Sequence, residues 1–128
     1  VYKRQGDTSD NTYRIDNTSS GNISFSGNLT ASGDINSTSD IKLKTNIKTL
    51  TNSLNKVLQL RGVEFDRIDL EGKHQIGVIA QEIEEIIPEL VSENNGTKSV
   101  AYGNITALLI EAIKELTEKV KVLEANSK

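Results

Sequence analysis

The sequence has no cysteine, no tryptophan and no methionine, and it has one histidine and one proline. Without cysteine, disulfides and thiolate metal sites are excluded. A single histidine argues against a His-based zinc site, so neither a metal nor a cofactor is expected. No apolar run approaches the roughly 20 residues of a membrane-spanning helix, and the N-terminus does not read as a secretory signal, so no membrane partner is expected. Net charge is −3, and the 15 Lys and Arg residues are scattered rather than gathered into a basic stripe. That leaves no footprint for nucleic acid. The chain opens at Val1 with no initiator methionine, which predicts a segment of a longer protein.

What is there divides unevenly. The first forty residues are rich in Gly, Ser, Asn and Thr, and too poor in apolar groups to bury a core of their own. Residues 1–20 read as a mobile or ligand-dependent leader, with Tyr2, Tyr13 and Ile15 its large apolar groups beside Val1. Residues 21–38 repeat in hexads: Gly21 to Ser26, Gly27 to Ser32, Gly33 to Thr38. Each hexad runs Gly, Asn or Asp, aliphatic, polar, variable, Ser or Thr. One aliphatic group per repeat suits a short strand with a turn at each Gly-Asn or Gly-Asp step, and such units need neighbours to bury their apolar face. Three chains wound together would direct Ile23, Leu29 and Ile35 onto one axis. The pattern resembles the triple-stranded β-helical shafts of phage fibres.

Beyond Ile41 the composition becomes globular. Leu54, Val57 and Leu58 predict a short helix over Thr51–Leu60, with Asn52 or Ser53 near its cap and Gly62 beyond its end. Val63–Asp69 alternates as a half-buried strand, Glu71-Gly72-Lys73 turns, and His74–Ala80 continues as a second strand. Gln81–Ile87 reads as a short helix with Ile83, Ile86 and Ile87 inward, closed by Pro88. Leu90-Val91 and Ser99–Ala101 form a hairpin around Asn94-Asn95-Gly96.

The last segment carries the clearest period. Tyr102, Thr106, Leu109, Ile113, Leu116, Val120 and Leu123 step alternately by four and three, the seam of a coiled coil. The helix is expected from about residue 104. Ile105, Leu108 and Ala112 widen the early stripe, so its first half should also pack on its own domain. Its second half is narrow and suits a parallel coiled coil of identical chains, with Leu109, Ile113, Leu116, Val120 and Leu123 as the seam.

At the junction lies Ser39-Asp40-Ile41-Lys42-Leu43-Lys44-Thr45-Asn46-Ile47. A serine hydroxyl attacks only when a base takes its proton. A lysine serves as that base as the neutral amine, a form that burial or neighbouring positive charge favours. Five residues separate Ser39 and Lys44, which places them on opposite faces of a strand and about 140° apart on a helix. Direct contact therefore needs a bend or two different chains. Glu82, Glu84, Glu85 and Glu89 read as a solvated helix face rather than a metal cluster.

The pattern Ser39-Asp40-x-x-Leu43-Lys44-x-Asn46-Ile47 resembles the opening motif of the peptidase S74 family, self-cleaving intramolecular chaperones at the C-termini of phage tail spikes, fibres and neck appendages. Gly77–Ile83, Pro88–Val91, Tyr102 and Leu108–Leu116 resemble further blocks of that family, so the likeness covers roughly residues 38–118. It implies that Ser39 is the nucleophile and Lys44 the general base, that Thr38–Ser39 is the scissile bond, and that the protein forms a homotrimer. Cleavage would proceed by an N-to-O acyl shift or by direct attack, followed by ester hydrolysis. Asp40, Asn46, His74 and Gln81 are possible auxiliary residues. Asp40 would cap the following turn or orient the junction, Asn46 would donate an amide or cap, His74 would assist proton transfer or simply start a strand, and Gln81 would organise a turn or subunit contact.

These readings together predict an α+β fold in two parts: the end of a fibre shaft over 1–38, and a chaperone domain over 39–128 ending in a trimerisation helix. The expected partners are two further copies and the shaft of the same chain. The expected location is a virion tail or appendage precursor assembled in the host cytoplasm, with the chaperone released after one self-cleavage. The alternative is a noncatalytic trimerisation and adhesion module. A stand-alone hydrolase is disfavoured, because no pocket-forming set of His, Asp and nucleophile is visible.

Overall fold

The structure is a computed structural model that describes residues 2–5, 13–16 and 23–127. Two compact units divide the chain, Val1–Thr45 and Asn46–Lys128.

In the first unit, β1 (Tyr2–Gln5) pairs antiparallel with β2 (Tyr13–Asp16), from Tyr2 opposite Asp16 to Gln5 opposite Tyr13. The rest of the stretch read as a mobile or ligand-dependent leader lies outside the described residues. Gly21 and Asn22, which open the first hexad, lie outside the described residues. From Ile23 to Thr38 the short strands expected of the hexads do not form within the single chain. The backbone bends at Ser26–Gly27 and at Ser32–Gly33, and Ile23, Leu29 and Ile35 are exposed. A 3-10 turn over Ile41–Leu43 follows.

The second unit is α+β, built from two hairpins and three helices. Helix α1 spans Ser53–Gln59, and the chain turns extended at Leu60. Asn52 precedes it with φ 57° and makes no side-chain cap. The capping acceptor comes instead from 61 residues away: the Leu54 N–H donates to Glu115 Oε2 at 2.7 Å. Ser53 is fully buried, and its hydroxyl has no hydrogen-bond partner among the described residues.

Strands β3 (Val63–Arg67) and β4 (Lys73–Gly77) pair antiparallel, from Val63 opposite Gly77 to Arg67 opposite Lys73. Val63, Phe65 and Arg67 are half-buried while Glu64 and Asp66 face out, the alternation a one-sided strand requires. Glu71 (φ 54°) and Gly72 (φ 75°) take the left-handed conformations that close the connection. Both strands are shorter than expected. β3 ends at Arg67, whose guanidinium binds Asp69. β4 ends at Gly77 because the next amide is diverted, the Val78 N–H donating to the Tyr102 hydroxyl at 3.0 Å. The apolar run Ile76–Ala80 is therefore not one strand, and Ala80 opens α2 (Ala80–Ile86).

Ile83 anchors α2 in the core, and Pro88 starts a 3-10 turn that buries Leu90. The second hairpin, β5 (Val91–Asn94) with β6 (Thr97–Val100), turns through Asn95 (φ 50°) and Gly96 (φ 76°), the left-handed pair that an Asn-Gly hairpin turn uses. A 3-10 turn at Tyr102–Asn104 leads into α3 (Ile105–Asn126, 22 residues).

Helix α3 presents two stripes. Leu108 and Ala112 are buried and Ile105 and Glu115 half-buried on the side where α3 meets α1. Leu109, Ile113, Leu116, Val120 and Leu123 remain between 43% and 68% exposed. Tyr102, which the heptad spacing placed at the head of this seam, binds the β3–β4 hairpin of its own chain instead.

Candidate functional site

Ser39 and Lys44 are brought together by a local turn. Asp40 has an extended backbone (φ −66°, ψ 135°), and its carboxylate accepts the Lys42 N–H at 3.0 Å. That cap starts the 3-10 turn, which the Leu43 N–H to Asp40 carbonyl bond (3.1 Å) and the Lys44 N–H to Ile41 carbonyl bond (3.0 Å) close. The three turn residues reverse the chain, and Lys44 leaves in an extended conformation (φ −124°, ψ 145°). Its Nζ then donates to Ser39 Oγ at 2.6 Å. Of the two ways to make this contact, a bend or two chains, the single chain uses the bend.

The Lys42 ammonium lies 3.4 Å from Asp40 Oδ2, so the second lysine of the motif pairs with the capping acid. Ser39, Asp40 and Lys44 are all exposed in the single chain. A neutral amine at the Lys44 position has the geometry to accept the Ser39 proton, since 2.6 Å is within hydrogen-bond reach.

The other candidate residues serve different surroundings. Asn46 supplies a left-handed backbone position (φ 53°) two residues past Lys44. His74, the second residue of β4, sits opposite Asp66, with Nδ1 2.8 Å from Asp66 Oδ1 and Nε2 3.9 Å from Glu64 Oε2. Gln81 is exposed in the first turn of α2. Gly77 is fixed by close approach: a Cβ there would stand 2.5 Å from the Tyr102 hydroxyl and 3.3 Å from the Phe65 ring. No group of three or more His, Cys, Asp or Glu among the described residues could hold a metal ion. No described helix is long and apolar enough to cross a membrane.

An exposed Ser–Lys pair thus lies between a repetitive stretch and an α+β segment that carries a 22-residue helix. Residues 39–92 match the Peptidase_S74 family, described as chaperone of endosialidase. The match begins at Ser39 itself. The chain is also similar to long tail fiber protein Gp37 of Enterobacteria phage K3, at 36% identity over 83 residues, covering 58% of this chain and 7% of that protein. Gp37 of Enterobacteria phage M1 is 37% identical over 81 residues, covering 56% of this chain and 32% of that protein. The chain thus spans well under two thirds of the length of either relative.

Proposed function

We propose that the segment from Ser39 onward is an intramolecular chaperone of a phage tail fibre-type chain, which brings three copies into register and then separates from them by cleaving Thr38–Ser39. The observation that carries the reading is the 2.6 Å contact between Lys44 Nζ and Ser39 Oγ, made by a turn that Asp40 caps. The fibre-protein relatives and the exposed α3 seam support it.

In this mechanism Lys44, as the amine, accepts the Ser39 hydroxyl proton while Oγ attacks the Thr38 carbonyl carbon. The amide C–N bond breaks, the Ser39 nitrogen gains a proton, and an ester links Thr38 to Oγ. Water then hydrolyses the ester, leaving a carboxylate at Thr38 and an amine at Ser39. Each chain turns over once. Three copies joined through Leu109, Ile113, Leu116, Val120 and Leu123 would make later contacts between the upstream repeats effectively intramolecular. Release after assembly would leave the shaft kinetically trapped.

Intact-mass measurement of the expressed chain tests the chemistry. The expected products separate at Thr38–Ser39. Ser39→Ala and Lys44→Ala both stop the cut, and Lys44→Arg does not restore it because a guanidinium stays charged. Unchanged cleavage in Ser39→Ala would overturn the assignment. The exposure of both dyad residues in the single chain favours a second reading, a noncatalytic trimerisation and adhesion module. An intact chain that is trimeric by light scattering, at a pH that favours the amine, would select it.

A further inference from the structure

The three hexads before Ser39 are followed by two more. Ser39-Asp40-Ile41 and Thr45-Asn46-Ile47 keep the order small residue, Asn or Asp, aliphatic, and they keep the spacing. The aliphatic position therefore runs Ile23, Leu29, Ile35, Ile41, Ile47 without a gap, and the position before it is Asn or Asp from Asn22 through Asn52. The period breaks at the next aliphatic position, which holds Ser53, the buried first residue of α1.

On each side of Thr38–Ser39 the backbone bends twice, six residues apart: at Ser26–Gly27 and Ser32–Gly33 among the glycine hexads, and, one position later in the hexad, at Asn46 and Asn52, both left-handed, with the 3-10 turn Ile41–Leu43 between. Short Asn and Asp side chains tolerate that conformation or cap the turn beside it, and Asp40 caps one here. All five aliphatic residues are between 50% and 73% exposed in the single chain, and so is Leu43 at 68%. One aliphatic group per six residues cannot be buried by its own chain, so what covers Ile23, Leu29 and Ile35 must also cover Ile41 and Ile47.

We infer that the three-chain array extends through the cleavage site to about Leu50, with Ile41 and Ile47 packing against the same positions of two further copies, so that Ser39 and Lys44 are the first and last positions of a shaft hexad. This rests on the proposed trimeric reading. In the upstream hexads those two positions are Gly and Ser or Thr; in the hexad after Thr38 they are Ser39 and Lys44. The nucleophile and base are thus substitutions within a repeat, and the chaperone leaves with two hexads of shaft still attached.

The test uses the full chain carrying Ser39→Ala, so that both sides of Thr38–Ser39 stay in one polypeptide. Hydrogen exchange is read by mass spectrometry on the assembled protein and on the same protein carrying Leu116→Asp. The expected result is that residues 41–50 are protected as strongly as 23–38, and that both lose at least about tenfold in protection when assembly is broken, a change worth about 1.4 kcal/mol. Ile47→Asn should lower protection across 41–50 while the protein stays trimeric. Ser39→Gly with Lys44→Ser, which restores an ordinary hexad, should keep that protection and abolish cleavage. Protection of 23–38 with free exchange at 41–50 would overturn the inference and leave the proposed function standing. Free exchange in both stretches of an assembled protein, or a monomeric wild-type chain, would overturn the inference together with the shaft reading on which it rests.

Discussion

Residues 23–50 and residues 53–127 are made from similar aliphatic residues and differ in where those residues go. In the first stretch Ile23, Leu29, Ile35, Ile41 and Ile47 are all exposed. In the second, Ile83, Leu90, Leu108 and Ala112 are buried by the chain's own helices and turns. The difference lies in spacing. Helix α3 places Leu108 and Ala112 four apart on one stripe, where a single facing helix covers both. A six-residue spacing in extended chain sets successive aliphatics too far apart for one neighbour in the same chain to cover. On the proposed trimeric reading the first stretch encodes an interface and the second a core, and α3 does both on its two stripes.

The sharpest way to break this contrast is Leu116→Asp. Leu116 lies on the exposed stripe of α3, so an aspartate there leaves the single chain's own packing intact but puts an unpaired charge in any seam between copies. Trimer mass by light scattering should disappear, while helical circular dichroism from the α1–α3 pair persists. Loss of both would show that the two stripes are not separable.

Leu108→Ala acts on the other stripe. It opens a cavity in the small core and should destabilise the second unit by about 2–4 kcal/mol in chemical denaturation. The corresponding change at Leu29, already exposed, should leave the stability of an unassembled chain unchanged.

The glycines offer a subtler comparison. Gly77→Ala drives a methyl into the Tyr102 hydroxyl and the Phe65 ring and should cost about 1–3 kcal/mol. Adding Tyr102→Phe should recover part of that loss, because it removes the nearest atom, and a double-mutant cycle would read the coupling. Gly33 has nothing near its missing Cβ in the single chain. Gly33→Ala should therefore be silent in a monomer, and any effect it has should appear only in the trimer's melting temperature.

The smallest expected effect is electrostatic. The Arg61 guanidinium holds the Glu82 carboxyl below the usual carboxylate range, through hydrogen bonding first and charge second. A carboxyl lowered in the folded state adds stability above its unfolded value, and that contribution fades as pH falls through the folded one. Both groups reach solvent, so Glu82→Gln should reduce the acid dependence of melting only slightly.

The sequence made some of these features readable and hid others. The Asn95-Gly96 hairpin was legible because the turn chemistry is local, and so were the early inward stripe of α3 and the short helix around Ile83. The end of β4 was not, since Ile76–Ala80 is uninterruptedly apolar and the residue that diverts its ladder, Tyr102, lies 24 positions on. The cap of α1 was hidden for the same reason: nothing near Asn52 reveals that Glu115 supplies the acceptor. The Ser39–Lys44 spacing demanded a bend without specifying one. Asp40 provides it by capping a 3-10 turn, one of the two roles its place in the motif suggested. The hexads beyond Thr38 are masked in the sequence because glycine drops out of the repeat where Ser39 and Thr45 replace it.

The sheets have a consequence for timing. Among the described residues each pairs strands that are neighbours in sequence, β1 with β2, β3 with β4 and β5 with β6, and none recruits a distant strand. Each ladder therefore closes a short loop, which a chain can do quickly, and the docking of α3 on α1 is the principal long closure in the second unit. Such a segment matures soon after its last residue leaves the ribosome. On the proposed trimeric reading residues 23–50 must instead wait on diffusion for other copies, so that the part of the chain made later is the part that can fold first.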